Sequence, residues 1–376
     1  MKLILDNKKF NEEIAIFNTI LTNTSANPLL SCLLLETNGN NLEITGSNEE
    51  VAVKTTINKH LEIVKPGKIL IEGNSFLKIL SKISENKIEI ELVDEQILKI
   101  KTETFNMDLN LLNCDDYPHY DFNTENKSSG IINVDFFAKI ANKLVRIASS
   151  KKNEISINKV LMGVLIDSKR TDNFIEAAAT DSHYLAYIKD KYDGPKFRIT
   201  MNVETIKLIT SQAKEKKFNF YLGEQNRVII ENDNIKYISR LIEGDYPNIE
   251  KFIQNNELPN EFVIDRRLIT KAIEKAIIVS EDPSSSKTMI SIEVKNEQIQ
   301  IKAQNLQKGI MFEVIKIKGK INEETTIILN AASLLNLLKN IDDANVTVKF
   351  TNNLSPIYLF DDKNHNYSSL ILPARS

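Results

Sequence analysis

The chain has 376 residues, 42% hydrophobic and 26% charged, with a formal net charge of -3 at pH 7. This make-up predicts a water-soluble globular protein of two to three domains, and no run approaches the ~18 apolar residues of a membrane span. An acidic balance also excludes a wholesale polycation, so attraction to nucleic acid would have to come from how charge is distributed. Cys32 and Cys114 stand at no ligand spacing and read as reduced, buried thiols in separate contexts, with neither disulfide nor metal site expected.

Taken in chain order, Met1-Lys2-Leu3-Ile4-Leu5-Asp6 reads as a strand entering a helix, which leaves no room for a signal peptide and predicts a cytoplasmic protein. The same step recurs where "INV" precedes Asp135 and where "FVI" precedes Asp265. Asn74, Asn202 and Asn330 each stand between an apolar run and a helical pattern. They are predicted to N-cap a second helix, because their side chains can accept from the orphan amides of the first turn. Asp116-Tyr117-Pro118 and Asp245-Tyr246-Pro247 keep the same beat. Three sets of markers sharing one period of about 129 residues predict three domain-sized copies, since that period is too long for a solenoid unit.

In the second copy the first helix is predicted from Asp135 to Ser150, with Phe137, Ile140, Ala141, Leu144 and Ala148 on one face. Strands are predicted at 87–92, 217–222 and 345–350, after the second helix of each copy. The polar, aperiodic stretches "HYDFNTENKSSG" (119–130) and "EKFIQNNELPN" (250–260) read as linkers. Domains are therefore expected at 1–126, 127–258 and 259–376.

Three motifs stand out: AATDSHYLAY at 178–187, SRLIEGDYPNIEKF at 239–252 and LILPARS at 370–376. In this order, within a triplicated chain, they resemble the bacterial DNA polymerase III β subunit, the sliding-clamp family. The resemblance implies an α+β fold of three tandem DNA-clamp domains, each with two helices plus antiparallel sheets. It further implies a head-to-tail homodimer, a six-domain ring with helices lining a hole that admits double-stranded DNA. Twelve helices at ~10 Å between axes would leave a clear hole of roughly 28 Å, wide enough for a duplex to slide. The implied role is that of a processivity factor in DNA replication, not an enzyme and needing no cofactor or metal. Its implied partners are the replicative polymerase α subunit, the clamp loader and other proteins with clamp-binding peptides.

Within that frame the basic residues acquire a role. Lys139, Lys143 and Arg146 recur at i, i+4 and i+7, away from the apolar stripe, and Lys151 and Lys152 extend the charge. Lys207, Lys214 and Lys217 follow in the same copy; Arg266, Arg267, Lys271 and Lys275 form a line in the third, diluted by Glu274. Singly, each is an ordinary solvated helix face. Together they segregate positive charge within an acidic chain and are expected to face DNA, attracting phosphates without reading bases. The first copy departs, since Lys8 and Lys9 are accompanied by Glu12 and Glu13.

The resemblance also implies a pocket for short peptides, a glutamine followed by hydrophobic residues. The matching positions are Leu161, Thr180, Ser182, His183, Leu185, Pro247, Phe252, Leu370, Leu372, Pro373, Ala374 and Arg375. Ser182 replaces the usual glycine and Tyr184 the usual arginine, and Ser333 stands where an aromatic is sometimes found. Dimer contacts are expected at Met107 and Leu109 on one end and at Ile278 and Val279 on the other. Two other readings compete: a hydrolase using Asp181 and His183, and a monomeric peptide-binding adaptor. Neighbours on an extended segment point to opposite faces, so Asp181-Ser182-His183 cannot form a catalytic array by itself. The chain also lacks a phosphate loop, a nucleophile elbow and an HExxH pair, and its four histidines are scattered.

Overall fold

The computed structural model describes residues 1–21, 27–94, 96–125, 127, 129–148, 158–211, 217–223, 226–253, 257–281, 288–361 and 367–374. Its contacts group the chain into two compact units, Met1–Asp135 with Glu204–Leu241, and Phe136–Val203 with Ile242–Ser376. Sequence periodicity and spatial contacts thus cut the middle repeat differently. The reason lies in strand pairing.

In the first unit, Lys2–Asp6 lies between Leu61–Lys65 and Lys87–Val93 in a five-stranded antiparallel sheet that ends on the edge strand Asn106–Asn110. An eight-stranded sheet takes four strands from the first repeat and four from the second. Its junction is the pairing of Ile235–Arg240 with Val51–Ile57, where Ile238 faces Ala52. The second unit repeats the device. Tyr184–Lys191 pairs with Tyr367–Ile371, Leu185 opposite Leu370, so that strands of the second and third repeats merge into a nine-stranded sheet. A four-stranded sheet of the third repeat ends on the edge strand Gly309–Lys316. The alternating burial of Met289–Lys295 and Gln298–Asn305 is that of sheets with one face on a core.

Three helix starts follow the predicted chemistry, while Asp135 lies inside the first turn of Val134–Lys143 rather than ahead of it. Asp6 accepts from Lys9 N (3.1 Å) ahead of the helix Asn7–Ile14, Asp265 from Leu268 N (2.9 Å) ahead of Arg266–Ser280, and Asn330 from Ser333 N (3.0 Å) ahead of Ala331–Lys339. Asn202 directly precedes Val203–Ser211. In Gly73–Lys82, however, the cap is Glu72, whose carboxylate accepts from the amides of Asn74 and Ser75. Asn74 is inside the first turn. A carboxylate there gains from the helix dipole as well as from two hydrogen bonds, so it displaces the predicted cap by two residues.

The helix predicted from Asp135 to Ser150 is two pieces, Val134–Lys143 and Val145–Ala148, with Ser149 and Ser150 outside the described residues. A tightened turn, Ile147 N to Leu144 O at 3.0 Å, separates them. Leu144, Val145, Ile147 and Ala148 around it are all buried. The strands predicted at 217–222 and 345–350 coincide with Lys217–Leu222 and Asn345–Phe350. Cys32 is buried but Cys114 only half-buried, and they do not stand in separate contexts: both pack with Leu70 and Tyr117 in one apolar cluster, where burial raises both thiol pKa values.

Candidate functional site

The motif AATDSHYLAY folds as a strand, a turn and a strand: Phe174–Thr180, Asp181-Ser182-His183, then Tyr184–Lys191. Asp181 makes the turn. Its Oδ1 accepts from the amides of His183 and Tyr184, both at 2.9 Å, and Thr180 Oγ1 donates to Tyr184 O at 2.9 Å. Ser182 sits at φ +77°, in the left-handed region where a Cβ is strained. That is the physical sense of a glycine at this position.

Asp245-Tyr246-Pro247 supplies the opposite wall. Tyr246 is buried, its hydroxyl accepting from Thr180 N (3.1 Å) and donating to Ala178 O (3.4 Å), and burial raises its pKa. This anchors the loop that presents Pro247, Asn248 and Ile249. The third wall is the end of the chain, where Leu372 N donates to His183 O at 2.8 Å beyond the last strand. A cleft of ≈ 200 Å³ opens among these walls. Beneath it Leu161, Leu165, Leu185, Ile249 and Leu370 form a buried cluster.

Eight of the predicted pocket residues line this cleft: Thr180, Ser182, His183 and Leu185 from the hairpin, Pro247 from the loop, Phe252 from the short helix Glu250–Ile253 that opens the stretch expected as a linker, and Leu370 and Leu372 from the tail. Leu161 lies in the supporting core, and Ala374 N donates to Ile328 O (2.8 Å), fixing the tail just after Pro373. Arg375 lies outside the described residues. Tyr184, Asn248 and Ile249 also line the cleft. The last two were signalled by their place beside Pro247 in the quoted motif. Phe252 (39%) and Leu372 (38%) stay exposed, an apolar pair at the mouth suited to covering a bound side chain.

Among the described residues the basic side chains divide into those with no ion pair and those engaged. Arg146, Lys217, Arg267 and Lys271 are exposed, while Lys139 pairs with Asp190 at 2.6 Å, Lys207 with Glu204 at 3.4 Å and Lys275 with Glu313 at 2.5 Å. Arg266 is half-buried and donates Nε to Asp343 O (2.8 Å). Lys143 differs most from a solvated face residue. Its side chain is 12% exposed, and Nζ donates to Asn340 O and Asp342 Oδ2, both at 2.7 Å, over the Tyr367 ring at 4.7 Å. Asn340 Nδ2 reciprocates to Lys143 O at 2.6 Å. Lys151, Lys152 and Lys214 lie outside the described residues.

The predicted end contacts fall on or beside edge strands. Met107 and Leu109 alternate, half-buried, along Asn106–Asn110. Ile278 (66% exposed) and the half-buried Val279 end the helix Arg266–Ser280. Sequence reasoning missed the neighbouring stripe of Ile310, Phe312 and Val314, all more than half exposed on Gly309–Lys316. The alternation shows in exposure and not in residue type, since Met311 and Ile315 are apolar as well, so the sequence carried no clean signal. Among the described residues no His/Cys/Asp/Glu cluster could hold a metal ion, and no helix is long and apolar enough to cross a membrane.

Comparison with known proteins gives a consistent result. Residues 1–121 match the family model of the DNA polymerase III beta subunit N-terminal domain, and residues 255–375 that of the C-terminal domain. The chain is 24% identical to the beta sliding clamp of Bacillus subtilis (strain 168) and 20% identical to that of Mycoplasma genitalium, each alignment covering 100% of both chains. The crystal structure of the DNA polymerase sliding clamp from Bacillus subtilis superposes with a TM-score of 0.91 at 21% identity, covering 100% of this chain and 99% of that one. The DNA polymerase beta subunit of Streptococcus pyogenes also gives 0.91 at 21% identity over the whole of both chains. Taken with the triplicated fold and the walled cleft, these matches place the chain in the DNA polymerase III beta subunit family, the beta sliding clamps.

Proposed function

We propose that this protein is the processivity factor of a DNA replication machinery, a non-enzymatic ring that encloses duplex DNA and tethers the polymerase through the cleft at Leu372. The observation carrying the closed-ring reading is the arithmetic of the sheets. Among the described residues, the sheets where repeats meet have eight and nine strands, and at the two ends stand sheets of five and four, each ending on an edge strand. Joined edge to edge, the end sheets of two copies would make nine strands. An edge strand that exposes apolar side chains, as Gly309–Lys316 does with Ile310, Phe312 and Val314, invites pairing with another chain, which argues for such a partner. The contact is heterologous, Met107 and Leu109 meeting the surface of Ile278, Val279 and Phe312, and it closes after two steps.

DNA would be held by enclosure and steered by weak phosphate contacts from Lys139, Arg146, Lys217, Arg267, Lys271 and Lys275. Such contacts act at any sequence and weaken with salt. The cleft supplies affinity by burial of apolar side chains and orientation by the fixed turn at Asp181. The test combines mass in solution with retention on DNA. A dimer of about twice 42.8 kDa should remain on nicked circular DNA in high salt and run off the same DNA once linearised. A monomer, or equal loss from both DNAs, would refute enclosure.

A further inference from the structure

The first unit contains a second cleft, of ≈ 490 Å³, that repeats the architecture of the Leu372 cleft strand for strand. Its turn is Asn48-Glu49-Glu50. Asn48 Oδ1 accepts from the amides of Glu50 and Val51, both at 2.9 Å, as Asp181 Oδ1 does from His183 and Tyr184. Its loop wall is Pro118-His119-Tyr120, anchored by the buried Tyr117 as the other is by Tyr246, with Tyr117 Oη 3.2 Å from Ser47 Oγ. Its third wall is the end of the strand Ile235–Arg240. Ile238 faces Ala52 as Leu370 faces Leu185, and Arg240 N donates to Glu50 O at 3.0 Å where Leu372 N donates to His183 O at 2.8 Å.

The substitutions between the two clefts are chemical rather than architectural. Ala52 stands for Leu185, which deepens the floor, and Arg240 stands for Leu372. Arg227 lies directly opposite Arg240 across the strand pair. Two like charges facing each other across a ladder repel, and neither guanidinium is paired with a carboxylate among the described residues. A carboxylate placed between them would relieve that repulsion through charge-assisted, bidentate hydrogen bonds. Glu49 and Glu50 lie on the turn, so the positive character is confined to the strand side.

We infer that this cleft is a second docking site, for a short linear segment of a partner protein that carries an aromatic anchor followed by carboxylates. The aromatic ring fills the space that Ala52 leaves over Ile238 and Tyr120, and the carboxylates meet Arg227 and Arg240. The inference rests on reading the Leu372 cleft as a peptide site. The sites differ in specificity, so one chain could hold two partners at once.

The experiment uses the full chain and two fluorescein-labelled hexapeptides, one with a phenylalanine followed by two aspartates, the other with a glutamine followed by leucines. Anisotropy titrations are run on the parent protein, on Arg227→Ala/Arg240→Ala, on Ala52→Leu and on a chain ending at 371. The phenylalanine–aspartate peptide should saturate, lose at least ~10-fold in affinity in the arginine variant and in Ala52→Leu, and be unaffected by the truncation. The glutamine–leucine peptide should show the converse. Absence of saturable binding, insensitivity to the arginines, or loss on truncation instead would overturn the second site. Full displacement by inorganic phosphate would reduce it to an anion site only, which also overturns it. Failure of the glutamine–leucine peptide alone would strike the Leu372 reading and leave the arginine result standing.

Discussion

At the scale of single residues, two side chains carry effects that can be checked. Ser182 holds a left-handed turn at φ +77°. Relief of a Cβ penalty of about 1–2 kcal/mol, less about 0.5–1 kcal/mol for the extra freedom of glycine when unfolded, makes Ser182→Gly a net gain of about 0.5–1 kcal/mol. Urea midpoints should rise accordingly, and an unchanged or lower midpoint would show the turn unstrained. Glu85 accepts from Thr104 Oγ1 and from Thr102 Oγ1 (2.9 Å), and these bonds depress its carboxyl pKa to about 2. Thr102 begins the turn leading into the edge strand Asn106–Asn110. Because the folded pKa lies below the unfolded one, Glu85 adds stability above the unfolded value of ~4.3, and that contribution is lost as pH falls toward 2. Glu85→Gln should therefore flatten the dependence of the urea midpoint between pH 5 and 2, and parallel profiles for parent and variant would count against it.

At the scale of elements, the tail and the helix Val134–Lys143 behave differently from what their sequences first suggest. Removing residues 372–376 deletes one wall of the cleft while leaving the strand Tyr367–Ile371 paired. Affinity for a glutamine–leucine peptide should fall at least ~10-fold, about 1.4 kcal/mol, with the circular dichroism spectrum unchanged. Equal affinity would remove the tail from the site. Lys143 belongs less to the outer surface than to a brace between its own helix and the segment Asn340–Asp342. Lys143→Ala should cost about 1–2 kcal/mol of stability through the lost charge-assisted bonds and ring contact, whereas Lys139→Glu with Arg146→Glu should leave stability near that of the parent and lower the salt slope of DNA association. The three-copy plan, the caps at Asp6, Asp265 and Asn330 and most of the cleft were legible, because caps, turns and apolar periodicity are local chemistry. Lys143 was not, since its partners lie about 197 residues away, and no spacing rule reports so distant a contact. The cap at Glu72 escaped for a local reason: a glutamate reaching two amides looks like any surface acid in the sequence.

At the scale of the whole molecule, the proposed interface between copies would be the same kind of object as the seams within one copy. A charged residue on the exposed edge surface, such as Phe312→Asp, should shift the sedimentation mass toward 42.8 kDa while leaving the monomer folded; a persistent dimer would place the contact elsewhere. The seam between the first and second repeats is the ladder from Ile235–Arg240 to Val51–Ile57, hydrogen-bonded along its length, whereas the linker around Asn123 and Glu125 is exposed. Covalent continuity and cohesion therefore follow different routes through the protein. A protease that cuts the linker at Glu125 should yield two polypeptides on a denaturing gel and a single particle on a native column. Once the ladder is formed, the peptide bond there adds nothing to the cohesion of the particle.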